Sequence, residues 1–269
     1  MQRRGAQRRE RRSHGRGAVS AEPAGRDGER GSLSASRRTL EGVTADTTRD
    51  RARQLQPVTY AAVGATQAPD LLRYPPTGYR PLELRGRIGH GDERWQYAVD
   101  ELLTGGVYRG AGMGVRITPV TAGDAELTYH HVEYDSVGEP VEPAQVGAAD
   151  EVYTAGGARH LRPGDIVVVG LEVGRALWLP LPGRVVLLEE AAQRVMYAVG
   201  TLPGHPFSGE EAFTLEQTAD GSVWLTVRSF ARPATWWGWP LLPGLLLARI
   251  LIARRFLRAL MGAIPSQQG

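Results

Sequence analysis

The chain has no cysteine and no lysine. The first absence removes disulfides, thiolate zinc sites, iron–sulfur clusters and cysteine nucleophiles together. Any chemistry must therefore use histidine, carboxylates, hydroxyls or a bound group, and no residue pattern points to a particular cofactor. The second absence makes all 32 basic residues arginine. With abundant glycine, alanine and proline, it reads as the codon bias of a GC-rich, bacterial genome rather than as a functional choice.

Also missing is a run of about 20 apolar residues, the length a bilayer-spanning helix needs. The longest apolar stretch, Trp236 to Ala248, contains Pro240 and Pro243, and Arg249, Arg254, Arg255 and Arg258 follow at once. Arginine costs roughly 2.5–3.5 kcal/mol near a bilayer centre, so four of them outweigh the leucines. No transmembrane segment is expected. The glycine-rich "GGVYRGAGMG" lacks the preceding strand of a βαβ unit, which excludes a dinucleotide-binding reading.

What is present is enough for a globular protein. The 269 residues are 42% hydrophobic and 23% charged, sufficient to bury one sizeable core or two small ones. The net charge of +3 hides an asymmetry, because residues 1–56 carry 14 arginines against 7 acids. That segment has almost no aliphatic residues and is expected to be a disordered, Arg-rich tail. Its paired arginines are not followed by the apolar region of an export signal, so the cytoplasm is the expected location. Clustered arginines would hold the phosphates of nucleic acid or of an acidic membrane. The plainer readings are a solvated tail or a translation start placed too far upstream.

From residue 57 to 264 the pattern is that of one domain. "LELRGRIGHG" alternates as a strand. Asp92 is expected to cap a helix over Asp92–Leu103, where Trp95, Val99, Leu102 and Leu103 recur at helical spacing, and Gly105-Gly106 ends it. A short helical or irregular piece leads to Met113. Then "GVRITPV", "ELTYHHVEYD", "DIVVVGLEVG", "ALWLPLPGRVVLLEE", "RVMYAVGTL", "EEAFTLEQ" and "SVWLTVRSF" alternate as strands between turn signals such as Pro163-Gly164-Asp165 and Asp220-Gly221. This is an antiparallel meander in an α+β arrangement, with a sheet whose concave face needs an apolar cover.

The C-terminal stretch is the expected cover. At 100° per residue, Leu245, Leu246, Ile252, Ala253, Phe256, Leu257 and Leu260 share one wide face, and Arg254, Arg255 and Arg258 lie on the other. Arg249 falls within the apolar face. A buried guanidinium is costly unless paired, so Arg249 is expected to meet a carboxylate inside or reach the mouth of a cavity. "WWGWPLLP" is expected to plug one end of the sheet; its other reading is an interfacial membrane contact backed by arginines.

The order of Gly200-Thr201-Leu202, Gly204-His205, Gly209-Glu210-Glu211 with Phe213, Asp220-Gly221, Val223-Trp224, Ser229-Phe230 and Arg232-Pro233-Ala234 is distinctive. So is "YAAVGAT" with "PPTGYRPLELRGRIGHG" upstream. Together these resemble an uncharacterised family of bacterial and plant proteins, domain of unknown function nineteen-ninety, also called uncharacterised protein family zero-five-four-eight. About 121–161 departs from the family pattern and reads as an insertion. The resemblance implies a helix-grip, START-like layout, in which an antiparallel sheet curls around a long C-terminal helix and encloses an apolar cavity. Proteins of that architecture bind hydrophobic small molecules or lipids, and some are enzymes.

Strand alternation puts Glu211, Phe213 and Leu215 on one face of "GEEAFTLEQ" and Glu210, Thr214 and Glu216 on the other. With the first set inward, Arg249, Phe213, Leu215 and Phe256 would line the cavity. Glu211 would be a desolvated acid, serving as general acid or base or as the partner of Arg249, or else fixing the preceding loop. His205, in the turn Pro203-Gly204-His205-Pro206, either orders that turn or pairs with Glu211. His90 reads as a turn organiser or a catalytic group. His131, Glu133 and Asp135 alternate onto one strand face, but their spacing matches no metal motif and a solvated edge is expected.

Overall fold

A computed structural model of the protein describes residues 49, 52–120, 153–154, 157–173 and 177–264. The expected tail lies almost wholly outside the described residues, as does most of the expected insertion, including His131, Glu133 and Asp135.

The described residues form an α+β unit with seven strands: β1 (Arg80–His90), β2 (Gly114–Thr118), β3 (Ile166–Val173), β4 (Leu177–Ala191), β5 (Arg194–Thr201), β6 (Phe207–Gln217) and β7 (Ser222–Pro233). Three helices accompany them, α1 (Asp92–Leu103), α2 (Gly106–Gly110) and α3 (Leu242–Ala259). All strands join one antiparallel sheet in the order β1-β7-β6-β5-β4-β3-β2. β2 to β7 make the expected meander, while β1 pairs with β7, so the first strand lies beside the last. The sheet is curved, and the register shifts at Arg87/Gly89 and Val185/Leu187 bend its strands.

α1 begins one residue earlier than its expected cap implies. Gly91 occupies the cap position and Asp92 is the first helical residue, where its charge favours the exposed amides of the first turn. The Asp92 carboxylate also accepts a hydrogen bond from the Gln217 side chain at 2.9 Å. Gly105, at φ 77°, stops the helix and starts the short turn of α2.

The main core fills the concave face of the sheet. Val195, Tyr197, Phe213, Leu215, Val223, Leu225 and Val227 form its floor, and all are buried. The cover differs from the expectation that the C-terminal helix supplies it. α1 and α2 contribute Trp95, Ala98, Leu102, Leu103, Val107 and Tyr108, whereas α3 contributes Ala253 and Phe256 from its C-terminal half, with Leu260 just past its end. In the first turns of α3, Leu242, Leu245 and Leu246 are only half-buried. Trp236 and Trp239 do not plug the sheet end either, being 83% and 46% exposed.

The convex face is covered by the segment between residues 58 and 79. Tyr60, Leu71 and Tyr79 pack around Phe230, with edge-on ring contacts of 5.5 Å and 5.4 Å. Glu210 pins this segment from the sheet. Its buried carboxylate accepts from the Tyr60 hydroxyl at 2.7 Å, Gly64 N at 2.8 Å, Thr66 N at 3.1 Å and Thr66 Oγ1 at 2.5 Å. Arg228 complements it by donating to the carbonyls of Thr66 and Ala68 while pairing with Glu83 at 2.7 Å. Donors and acceptors of one turn are thus satisfied by two opposite charges from neighbouring strands.

Candidate functional site

Where α3 leaves the sheet, the concave face keeps an opening. A cavity of about 130 Å³ lies there, bounded by β3 to β7, α2 and α3. Most of its wall is apolar: Tyr108 from α2, Val169 from β3, Leu181 from β4, Val199 from β5, and Ile252 and Phe256 from α3. Polar groups gather at one end, from Glu211, Ser229 and Arg249, with Thr201 and His205 also on the wall.

The register brings that polar end together. Val199, Glu211 and Ser229 stand directly opposite one another on β5, β6 and β7, and paired residues share a face. Arg249 reaches down from α3, donating to Ser229 Oγ at 2.8 Å and to the Arg80 carbonyl at 3.1 Å. The odd arginine of the apolar helix face therefore reaches the cavity wall and finds polar partners there. Glu211 lies within its electrostatic reach.

Burial decides the protonation of this end. The Glu211 carboxyl is pushed up to about 7 by desolvation, with the Arg249 charge acting in the opposite direction. Desolvation likewise lowers the Arg249 guanidinium from its ordinary range, and Glu211 counters that. The Tyr108 and Tyr197 hydroxyls beneath are raised above the ordinary phenol value, by burial first and also by the Glu211 charge. The two hydroxyls are neighbours, yet the buried Tyr197 oxygen has no partner in hydrogen-bonding geometry among the described residues. Near neutrality the site thus offers a carboxyl able to give or take a proton, a cation and phenols that stay protonated.

His205 does not join Glu211 through any hydrogen bond among the described residues. Its Nδ1 lies 2.9 Å from both the amide and the carbonyl of Phe207, and either bond holds the turn before β6. Burial pushes the imidazole down to about 4, opposed by a backbone hydrogen bond with Phe207. The ring still forms part of the cavity wall.

Phe213 and Leu215 share the face of Glu211, as alternation implies, but they are not on the cavity wall. The cavity occupies only the Gly209–Glu211 end of β6. Farther along, Tyr108 and Phe256 close over Phe213 with ring centroids 5.6 Å and 5.1 Å away. Phe256 does line the cavity. His90 sits apart, against Gly221 at the β1–β7 edge. Among the described residues, no group of three His, Asp or Glu side chains is arranged to hold a metal ion.

Ser229, Tyr108 and Tyr197 escaped the sequence reading as site residues. Ser229 lay in plain view in Ser229-Phe230, but only pairing with β6 sets it beside Glu211. Gly209 is also required here: its φ is 151°, and a β-carbon would lie 2.0 Å from the Phe230 oxygen.

The model of the family described as Domain of unknown function (DUF1990) matches residues 59–151 and 145–259, most of the chain. The chain belongs to this family. The two matches meet at 145–151, inside the segment expected to be an insertion. Among curated proteins, the DUF1990 chain is 41% identical over 58 residues to a UPF0548 protein of Deinococcus radiodurans. It is 38% identical over 63 residues to the UPF0548 protein At2g17695 of Arabidopsis thaliana. These alignments cover 22% and 21% of the DUF1990 chain and only 29% and 31% of the relatives. Among solved structures, hypothetical protein jhp0584 of Helicobacter pylori has a TM-score of 0.41 at 11% identity, covering 71% of this chain and 90% of that one. Protein NE0264 of Nitrosomonas europaea has a TM-score of 0.35 at 12% identity, covering 67% and 93%.

Proposed function

We propose that this DUF1990 chain is a helix-grip, START-like binding protein for a small hydrophobic molecule that carries one polar head. The observation behind this reading is the division of the cavity. Its wall is mainly apolar, and Arg249, Ser229 and Glu211 gather at one end of it. Such a site buries an apolar body and orients it by a few polar groups. A hydroxyl, carbonyl or carboxylate head would take hydrogen bonds from Arg249 and from Glu211 in its protonated form.

The volume limits the occupant. At about 130 Å³ the cavity is close to the roughly 150 Å³ space known to hold benzene. A single ring or a short acyl chain suits it, and a two-chain lipid would need the first turns of α3 to swing away. The same reading takes residues 1–56 as an Arg-rich tail and 57–264 as the binding domain with an insertion at about 121–161. It takes the cytoplasm as its compartment.

Native mass spectrometry of the purified chain tests the reading directly. The expected result is an added mass of small-molecule size that is lost on unfolding and reduced in Arg249→Met. A bare mass, together with no saturable uptake of single-ring or short-chain probes such as benzoate and hexanoate, would overturn it.

A second reading is favoured by the place of Glu211, an acid on the cavity wall opposite Ser229 whose desolvation pushes its carboxyl up to about 7. An acid so placed serves as general acid or base at neutral pH, on a substrate oriented by Arg249. This enzyme reading requires that a bound compound be turned over and that Glu211→Gln abolish turnover while keeping binding.

A further inference from the structure

The two sides of α3 differ in kind. Arg249, Ile252 and Phe256 face the cavity. On the opposite side, Pro243, Leu247, Leu251, Arg254 and Arg258 fall within about 80° of one another at 100° per residue. The stripe is apolar for two turns and basic for the next two. Leu247 is 57% exposed and Leu251 49%, and the approach to the helix continues the patch with exposed Trp236, Trp239 and Leu241. Arg254, Arg255 and Arg258 are exposed at the other end. No acid within their own segment offsets them, for Gly221 to Gly269 contains six arginines and neither aspartate nor glutamate.

We propose that this face docks on an anionic lipid bilayer. Trp236, Trp239, Leu241, Leu247 and Leu251 enter the headgroup region, and Arg254, Arg255 and Arg258 bind lipid phosphates. A bilayer interface is the surface that takes all three residue types side by side: tryptophan at the headgroup level, leucine just below it, and arginine on the anionic charge. A nucleic acid would answer the arginines and leave the leucines in water. Crossing the membrane is not the mode, since no helix among the described residues is long and apolar enough to span one. From Leu247 to Arg258 is about 16 Å along the helix, so α3 lies inclined with its N-terminal end deeper. The other side of that helix is the cavity wall, which puts the bilayer about one helix diameter, roughly 10 Å, from the site. The inference stands independently of what fills the cavity.

Sedimentation of the full chain with phosphatidylcholine vesicles, with and without phosphatidylglycerol, tests it. The expected result is binding to the anionic vesicles, weakened by salt, with a blue shift of tryptophan fluorescence. The double variant Leu247→Asp/Leu251→Asp is expected to lower the partition coefficient by at least about 100-fold. The triple variant Arg254→Gln/Arg255→Gln/Arg258→Gln should lower it by on the order of 100-fold. Unchanged thermal midpoints establish that the variants are folded; Trp236→Ser, at the most exposed of these positions, gives the same readout if the double variant does not fold. All variants keep the arginines of residues 1–56, so vesicle binding that survives both multiple variants would assign it elsewhere and overturn the proposal. No binding to anionic vesicles would overturn it too. So would a dimer in size-exclusion chromatography that the leucine variant dissociates with vesicle binding intact, because the face would then belong to a second copy.

Discussion

Arg249 donates a hydrogen bond to the Ser229 hydroxyl 2.8 Å away, joining the C-terminal helix to the sheet at the wall of the cavity. Ser229 in turn stands opposite Glu211 in the β6–β7 ladder. One charged helix residue, one strand hydroxyl and one desolvated acid thus make a polar end for an otherwise apolar space.

Glu211 makes the stability of the protein pH-dependent. Its carboxyl is held at about 7 against an ordinary 4.5, so the unfolded chain ionises first. The folded state is favoured fully below about 4.5, loses ground as pH rises toward 7, and carries the full cost above it. The shift corresponds to a cost of about 3 kcal/mol. Glu211→Gln is therefore expected to match the parent in urea denaturation at pH 4.5 and to exceed it in stability at pH 8.

Arg249 opposes this shift. Arg249→Met removes the cation that favours the ionised carboxylate, and the Glu211 pKa should move further above 7. A carbon-13 NMR titration of the glutamate carboxyls, with Glu211→Gln to assign the signal, measures it. A fall in the Glu211 pKa would contradict the arrangement.

His205 is expected to stay neutral from pH 5 to 8. Burial lowers its pKa to about 4, and its Nδ1 stands 2.9 Å from both the amide and the carbonyl of Phe207. Nitrogen-15 chemical shifts should show a neutral ring across that range, and an imidazolium signal at pH 6 would contradict the burial. As the folded pKa lies below the unfolded one, its contribution to stability is complete above about 6.5 and fades as pH falls through 4.

Glu210 should matter for stability rather than for the cavity. Its carboxylate accepts four hydrogen bonds from Tyr60, Gly64 and Thr66 on the convex face. Glu210→Ala leaves two backbone amides and two hydroxyls without that acceptor, a loss of roughly 3 kcal/mol or more. Hydrogen exchange at the Gly64 and Thr66 amides should accelerate, while the Glu211 titration stays where it is.

Gly209→Ala is expected to destabilise by at least about 2 kcal/mol, because a β-carbon there meets backbone rather than a movable side chain. A thermal melt several degrees below the parent would register it, and an unchanged midpoint would mean that the β6–β7 backbone can yield.

Much of the fold was legible locally. The period-two runs from Gly114, Asp165, Ala176, Arg194, Glu210 and Ser222 are strands over their described residues, and the 3.6-period run from Asp92 is a helix to the residue where Gly105 can stop it. Both signals come from short-range alternation between water and interior, which a chain displays whatever its final topology. The candidate site was half legible for the same reason. Alternation put Glu211 and Glu210 on opposite faces, and the helical wheel showed Arg249 to be out of place.

The sequence by itself therefore determined the element types, the face each side chain takes and the failure of the C-terminal stretch to qualify as a membrane span. Those follow from periodicity and charge within a dozen residues. Only the tertiary structure decided that β1 closes against β7, that α1 and α2 share the covering of the sheet, and that Ser229 meets Arg249. It also decided that Phe213 and Leu215 are core rather than cavity wall, and that Trp236 and Trp239 stay in the open. Each of these depends on where chain segments far apart in sequence come to rest. Residue type limits such pairings without choosing among them, because an apolar face is satisfied by any apolar neighbour of fitting shape.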